Sequence, residues 1–214
     1  MEEIMNKKIQ TVLNKLQKQS DYEAKYEHTI PHAKRMLAIS KDIGLFYNIL
    51  LKAIKAQKIL EIGTSTGYSA MWFADAVLAN TKKNKNKGVI ITIDSDPSKI
   101  IRSKKNFKDA GINCVEIRKG TAKAVLSKML ANSKNKEFFD FIFIDADKES
   151  YIEYFEMCLP MVRQGGIIGA DNILLPARYN KFTKKYVAHV RKNLNVQSVT
   201  IPIDNGEEIT IKLS

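Results

Sequence analysis

Hydrophobic and polar residues change their spacing along the chain in a regular order. From residue 58 onward, short uninterrupted apolar runs, typical of buried parallel strands, alternate with segments whose apolar residues recur at helical spacing. The apolar runs predict strands at Lys58 to Ile62, Val89 to Asp94, Cys114 to Arg118, Phe139 to Asp145 and Gly166 to Ala170. The segments between them predict helices at Ser69 to Ala79, Pro97 to Ala110, Thr121 to Asn132 and Lys148 to Val162. This alternation predicts an α/β fold with a mostly parallel sheet and helices on both faces.

The two ends of the chain follow other patterns. Helical spacing predicts a helix at residues 3 to 18, another at Tyr22 to Leu37, and a third that follows Ser40 and leads into the first strand. After a last helix, two extended runs flank an Asn-Gly pair, which indicates a hairpin. The ranges are Tyr179 to Asn193 for the helix and Gln197 to Pro202 and Glu208 to Lys212 for the runs. We therefore predict one domain over residues 1–214, with accessory helices in residues 1–40 and an antiparallel C-terminal hairpin.

Composition narrows the class of protein. The chain has 214 residues, of which 44% are hydrophobic, enough for one sizeable core. No stretch approaches the roughly 18 apolar residues of a membrane span, and the first 20 residues lack the apolar region of a signal peptide. A cytoplasmic location without membrane contact is expected. Cys114 and Cys158, in a predicted strand and on an apolar helix face, are expected to be buried thiols.

The positive charge leaves two interpretations open. The formal charge is +12, and lysines are concentrated between Thr81 and Lys87. Without interleaved arginines or aromatic residues, that run is more typical of a solvated loop than of a nucleic-acid site. An RNA partner is the alternative.

Two predicted strands end in hard oxygen ligands. Asp145 ends one strand, and Asp171 and Asn172 follow another. Because the carboxyl ends of parallel strands meet at one edge of a sheet, these side chains are expected to converge. Oxygen-only ligation suits Mg²⁺, Mn²⁺ or Ca²⁺ rather than Zn²⁺. Lys148 is three residues past Asp145, and its position beside the acidic cluster favours a role as a general base over that of a surface lysine.

Three earlier strand ends have the residues of a nucleoside site. Gly63 and Gly67 bracket a loop that enters a helix, where backbone N-H groups favour an anionic group. Ser65 stands where a dinucleotide fingerprint needs glycine, which favours a cofactor without a pyrophosphate. Asp94 ends the next strand, where a carboxylate can accept both ribose hydroxyls, and Gly120 to Ala122 ends the third with small residues.

Together these motifs resemble the cation-dependent O-methyltransferase family that includes catechol and caffeoyl-CoA O-methyltransferases. The matching segments are LEIGTSTGYS from Leu60, ITIDSD from Ile91, FIDADK from Phe143 and GGIIGADN from Gly165. The resemblance runs from about Leu37 to Leu174. It implies a Rossmann-like class I methyltransferase sheet, S-adenosyl-L-methionine as methyl donor, and a homodimer.

The resemblance also implies roles for individual residues. It implies that Glu61 holds the amino group of the methionine moiety, that Ser69 binds its carboxylate, and that Asp94 binds the ribose. The other implied cofactor contacts are Ile39 through its backbone, Gly63 and Thr64 along the methionine, Asp147 near the methionine end and Ala122 at the adenine. The implied metal ligands are Asp145, Asp171 and Asn172, with Lys148 as the catalytic base.

The methyl acceptor is the least determined part of the prediction. After Asn172 the chain reads Ile173-Leu-Leu-Pro176, where the family often has an aromatic residue and a polar turn. Acyl-CoA-type members have a polar side chain at the position of Pro176, so a bulky acyl-CoA acceptor is not expected. A small catechol-like aromatic with vicinal oxygens is predicted. The alternatives are a hydroxylated wobble uridine of tRNA and, more weakly, an inactive cofactor-binding module, against which the intact acidic cluster argues.

Overall fold

A computed structural model describes residues 5–31, 34–82 and 88–214. In these residues an N-terminal helical part precedes seven strands, of which the first six alternate with helices. The α-helices are α1 (Lys7–Lys25), α2 (Lys41–Ala53), α3 (Tyr68–Thr81), α4 (Pro97–Asp109), α5 (Ala122–Leu130), α6 (Tyr151–Cys158) and α7 (Asn180–Lys192). The strands are β1 (Lys58–Ile62), β2 (Val89–Asp94), β3 (Val115–Lys119), β4 (Phe139–Ile144), β5 (Val162–Ala170), β6 (Val196–Ile201) and β7 (Glu207–Lys212).

The seven strands form one sheet in the order β3-β2-β1-β4-β5-β7-β6. Strands β1 to β5 are parallel to one another, whereas β7 pairs antiparallel with both β5 and β6. The predicted α/β sheet with an antiparallel C-terminal hairpin is therefore confirmed. The strand order reverses direction between β1 and β4, and such a switch point is where open α/β sheets bind ligands.

Apolar side chains fill a core on each face of the sheet. Ile59 and Phe141 face α1, α2 and α3, whereas their neighbours Leu60 and Ile142 face α5, α6 and α7. Both faces of the central strands are thus covered, which explains why their sequences are almost continuously hydrophobic. The carboxyl ends of the strands stay accessible between the two helical layers.

The predicted helix at Tyr22 to Leu37 is wrong. Helix α1 continues to Lys25, a 3₁₀ turn follows at Glu27–Thr29, and no α-helix occurs in the described residues from 34 to 40. Ile30 is extended because the residue before a proline, here Pro31, is disfavoured in helical conformation. Of the apolar residues in this segment, Met36 is fully buried, whereas Tyr22, Tyr26 and Leu37 are exposed.

Other boundaries differ by a few residues. Strand β5 begins at Val162, four residues before the predicted start, and its pairing with β4 is irregular between Phe139 and Phe141. Gly165 lies inside this strand with φ of 69°, a conformation that favours glycine. Helix α6 ends at Cys158, whereas the predicted helix ends at Val162, because β5 already begins at that residue.

Both cysteines are free thiols among the described residues, as predicted. Cys158 is fully buried and Cys114 is partly buried. Burial raises the pKa of Cys114 to about 11 and the pKa of Cys158 further still, so both sulfurs are protonated at neutral pH. None of the described helices is both long and apolar enough to cross a membrane.

Candidate functional site

A cleft of about 1090 Å³ opens at the carboxyl ends of β1, β2, β4 and β5. Its wall is made by the loops that leave these strands and by the residues after β3. Of the residues predicted to form the site, eight line this cleft: Gly63, Asp94, Ala122, Asp145, Asp147, Lys148, Asp171 and Asn172. The other four predicted residues do not line the cleft and are almost fully buried. They are Ile39, Glu61, Thr64 and Ser69.

The loop after β1 brings two backbone segments into close contact. Gly63 has φ of 109°, and a Cβ atom on it would lie 1.9 Å from the carbonyl oxygen of Asp145. A side chain at this position would push the β1 loop away from the β4 loop. The glycine is therefore needed for the two strand ends to form one site.

The carboxylate of Asp94 is held at the end of β2 by backbone donors. Oδ2 accepts a hydrogen bond from the Ser65 N-H at 2.8 Å, and Oδ1 accepts one from the Asp96 N-H at 2.9 Å. Asp94 remains partly exposed to the cleft, so each oxygen keeps a lone pair for a ligand. Gly120 and Ala122 extend the wall beside it with little side-chain bulk.

Glu61 forms a buried hydrogen-bond network beneath the cleft. It accepts hydrogen bonds from the hydroxyls of Ser69 and Thr92, and Thr92 in turn contacts the hydroxyl of Thr64 at 2.6 Å. Burial raises the pKa of Glu61 to about 8, although the two hydroxyl donors lower it. The roles that the resemblance implies for Glu61 and Ser69 stay predictions.

Asp145 and Lys148 lie together at the acidic end of the cleft. Lys148 Nζ donates to Asp145 Oδ1 at 3.0 Å and lies 4.9 Å from the centre of the Tyr151 ring. Only 6% of Lys148 is exposed, because the 3₁₀ turn Lys148–Ser150 carries it inward. A lysine held in this way is not an ordinary surface residue.

Asp171 is the most constrained of the predicted metal ligands. Its backbone carbonyl accepts a hydrogen bond from the Tyr151 hydroxyl at 3.0 Å, but its side-chain Oδ1 is buried without a partner among the described residues. Burial, and after it the nearby Asp145 carboxylate, raise the pKa of Asp171 to about 6. Asn172 follows with φ of 59°, a conformation that asparagine tolerates better than most residues.

The acidic end of the cleft fits a hard cation. Its donors are the carboxylates of Asp145 and Asp171 and the amide of Asn172, all oxygen atoms. A cation would also give the orphaned Asp171 Oδ1 a partner. In residues 5–31, 34–82 and 88–214, no three His, Cys, Asp or Glu side chains form a metal-binding group, so the fit depends on the asparagine.

Sequence reasoning missed several residues of this region. Lys99 of α4 lines the cleft beside Asp94, and Tyr154 donates a hydrogen bond to Asp147 at 2.5 Å. Glu207, the first residue of β7, is fully buried and lies next to the end of β5, which Asp171 directly follows. A further group lines the open side of the acidic end: Pro176, Arg178, Tyr179 and Asn205. Sequence spacing places Tyr154 on the same helix face as Tyr151, but no local signal marks Glu207.

Several known proteins with similar sequences or structures are named methyltransferases. Residues 13–212 match the model of the O-methyltransferase family. Caffeoyl-CoA O-methyltransferase 1 of Zea mays is 33% identical over 196 residues, covering 84% of this chain and 73% of that protein. The Arabidopsis thaliana protein of the same name is 30% identical, with 88% and 76% covered.

Solved structures agree with the fold. The O-methyltransferase from Bacillus cereus in complex with SAH superposes with a TM-score of 0.76 at 24% identity, covering 94% of this chain and 90% of the other. TomG from Streptomyces achromogenes, solved in complex with SAM, gives a TM-score of 0.76 at 23% identity, with 95% and 90% covered.

Proposed function

The chain belongs to the O-methyltransferase family, and on that premise we propose that it transfers a methyl group from S-adenosylmethionine to a hydroxyl of a small aromatic with vicinal oxygens, aided by a divalent cation. One observation carries the proposal. A single cleft has Asp94, suited to a ribose, in one part of its wall and Asp145, Lys148, Asp171 and Asn172 in another.

The residues of the cleft have separate tasks in this reaction. When bound, S-adenosylmethionine supplies the methyl group, and a divalent cation lowers the pKa of a neighbouring hydroxyl. Asp145, Asp171 and Asn172 hold the cation through oxygen atoms. Lys148, in its neutral form, accepts the hydroxyl proton at Nζ. The cleft wall orients the resulting oxygen toward the methyl carbon, so that the two reacting atoms are held in the geometry that transfer requires.

The residues on the open side of the acidic end support the choice of a small aromatic acceptor. Pro176 and Tyr179 line it and offer an apolar and an aromatic surface to a flat ring. The relatives in plants are named for caffeoyl-CoA, whose aromatic part carries vicinal hydroxyls. Proline stands at position 176, where acyl-CoA-type members have a polar side chain, and this favours a smaller aromatic compound.

A hydroxylated uridine of tRNA is the second candidate. Lys99, Lys123 and Arg178 line the cleft, and cationic side chains favour a phosphate backbone. The lysine run after α3 does not support this candidate, because β2 pairs with β1 from Lys58 and Val89 onward and therefore begins at the edge opposite the cleft. Lys82 lies at the end of α3, whereas Lys83, Lys85 and Lys87 lie outside the described residues.

A methyl-transfer assay with radiolabelled donor tests both candidates. The protein is treated with EDTA and offered a pool of small catechols or a pool of hypomodified tRNA, with and without added Mg²⁺ or Mn²⁺. We expect labelled catechol only when the cation is restored, and no turnover by Asp171→Ala although donor binding survives. Full activity after exhaustive chelation would overturn the role of the cation, and label in tRNA alone would select the second candidate.

A further inference from the structure

Residues 34–40, which we call the strap, lead from the N-terminal helical part into α2 and contain no strand or α-helix. Three consecutive carbonyl oxygens of the strap each accept a hydrogen bond from a side chain outside it. The pairs are Lys34 with Arg102 at 3.2 Å, Arg35 with Lys99, and Met36 with Ser65. Side chains of α4 and of the loop after β1 thus satisfy backbone groups that a helix or sheet would satisfy internally.

Ser65 connects the strap to the nucleoside part of the cleft. Its N-H donates to Asp94 Oδ2 at 2.8 Å, while its hydroxyl donates to the carbonyl oxygen of Met36. Lys99 Nζ donates to the same hydroxyl at 3.3 Å and also to the carbonyl oxygen of Arg35. One network of hydrogen bonds therefore joins the strap to the carboxylate that is suited to a ribose.

Lys99 is unusually buried for a lysine. Only 5% of it is exposed, although it lines the cleft. Burying an ammonium group is unfavourable unless its N-H groups find acceptors, and here a strap carbonyl and the Ser65 hydroxyl supply them. The charge of Lys99 thus holds the strap against the cleft.

The strap presents an apolar side chain to the cleft in an unfavourable backbone conformation. Leu37 and Ala38 line the cleft, and 47% of Leu37 is exposed. Leu37 has φ of 51°, in the left-handed region that residues other than glycine adopt rarely and only where their surroundings impose it. The hydrogen bonds to the three preceding carbonyl groups supply this constraint.

We propose that Lys99 is a positioning residue for the methyl donor: with Ser65 it holds the strap closed, so that Leu37 and Ala38 complete the cleft wall beside the nucleoside. The inference rests on the proposed function, because the ligand is the donor of that reaction. Lys99 acts through the strap. A donor that binds only the closed form loses apparent affinity in proportion to the fraction of protein whose strap is open.

Calorimetry with S-adenosylhomocysteine measures the effect on donor binding. The wild type is compared with Lys99→Met, which keeps a long side chain without donors, with Lys99→Arg and with Ser65→Ala. We expect the dissociation constant to rise several-fold in Lys99→Met and in Ser65→Ala. Lys99→Arg should recover much of the loss, because its guanidinium can donate to both acceptors. In the methyl-transfer assay, the loss should raise the KM for the donor and not lower kcat.

Limited proteolysis with trypsin measures the opening of the strap. Trypsin cleaves after Lys34 and Arg35, and the carbonyl groups of these two bonds are those that Arg102 and Lys99 hold. Cleavage of a transiently opened segment follows the population of the open form. Losing a hydrogen bond to a charged group should raise the initial rate at these bonds about tenfold in Lys99→Met. Mass spectrometry identifies the fragments, and saturating S-adenosylhomocysteine should slow this cleavage in the wild type.

A matched control separates opening of the strap from general damage. Lys105 is on the same helix, but its Nζ pairs with Asp109 at 2.7 Å and it does not line the cleft. Lys105→Met should bind S-adenosylhomocysteine and resist trypsin as the wild type does. Should Lys99→Met fail to fold, Ser65→Ala takes its place in both measurements, since it removes the hydroxyl that holds the Met36 carbonyl.

Each outcome decides a different statement. Wild-type affinity in Lys99→Met, or in Ser65→Ala if that variant is used, overturns the inference and leaves the proposed function intact. Weaker binding without faster cleavage after Lys34 and Arg35 also overturns it, since Lys99 would then act on the donor without the strap. A loss in Lys99→Arg as large as in Lys99→Met has the same result, because donors at this position would not matter. A wild type that binds neither S-adenosylmethionine nor S-adenosylhomocysteine overturns the donor in the proposed function and the inference with it.

Discussion

Burial decides the charge of Glu61. Its carboxyl is fully buried, its two partners are neutral hydroxyls, and its pKa is raised to about 8, first of all by the loss of solvent. Near neutral pH the group is therefore protonated for much of the time in the protein without ligand. A cationic group beside it would favour the ionised form, which agrees with the role that the resemblance implies.

Glu61→Gln is expected to flatten the pH dependence of the free energy of unfolding. Glu61 ionises above its ordinary pKa of 4.5 in the unfolded chain but only above about 8 in the folded protein. The folded state binds more protons in this window, so the stability contributed by the protonated group falls as the pH rises through it. The slope from this one group is at most about 1.4 kcal/mol per pH unit. Urea denaturation of both proteins across this window measures the difference, and parallel curves would contradict the prediction.

Asp94→Ala is expected to weaken donor binding. A hydrogen bond to a charged group contributes about 1.5 to 3 kcal/mol, so the dissociation constant should rise at least tenfold. Asp94→Asn is the matched control, because its amide oxygen still accepts from the Ser65 N-H and keeps the loop in place. Calorimetry with S-adenosylmethionine measures both variants. Unchanged affinity in Asp94→Ala would remove the argument for a nucleoside at β2.

Local sequence predicted some of these residues and not others. Asp145, Asp171 and Asn172 could be placed in one cleft because each directly follows a hydrophobic run, and parallel strands end at a common edge. Glu207 could not, because its place beside the strand end that carries Asp171 depends on β7 lying next to β5. Two consecutive glutamates in a strand normally place one in solvent, whereas here both are buried.

At the scale of elements, helix α4 depends on its first residues. Asp96 caps it by accepting hydrogen bonds from the N-H groups of Ser98 at 2.7 Å and Lys99 at 3.4 Å. These contacts hold the pKa of Asp96 below its ordinary value, and the hydrogen bonds with Ser98 contribute most to this shift. The helix begins directly after the strand end that carries Asp94, so the cap also fixes one wall of the cleft.

Asp96→Ala is expected to lower the free energy of unfolding by about 1 kcal/mol, the usual cost of losing an N-terminal cap. Asp96→Asn retains an acceptor oxygen and should lose much less. Urea denaturation at neutral pH compares the three proteins. An alanine variant as stable as the wild type would mean that solvent replaces the cap without cost.

Elements were predicted best where their periodicity was long and clear. The alternating part, from β1 to β5, follows from the switch between apolar runs and helical spacing, and only boundaries shifted. The segment from Tyr22 to Leu37 also has helical spacing, yet Pro31 and tertiary packing decide its structure. The Glu23 carboxylate accepts from the Met36 N-H, a contact that holds the loop and that spacing cannot predict.

At the scale of the whole molecule, the charge of +12 predicts different salt responses for the two acceptors. For a small aromatic, the KM should change little between about 50 and 200 mM KCl. For single-stranded RNA, the logarithm of affinity should fall against the logarithm of salt with a slope of about −0.7 per phosphate contact. Initial rates of methyl transfer at several salt concentrations measure the response. A steep loss with catechol would contradict the small-acceptor proposal.

Strand β7 has a consequence for how the protein is made. It separates β5 from β6, although β6 precedes it in the sequence, and among the described strands β6 pairs with β7 alone. During synthesis β6 therefore leaves the ribosome before the strand with which it pairs, and the edge of β5 stays open for the same interval. Open strand edges are templates for pairing with other chains. The nascent protein is thus open to edge-to-edge aggregation until Glu207 and the rest of β7 have emerged.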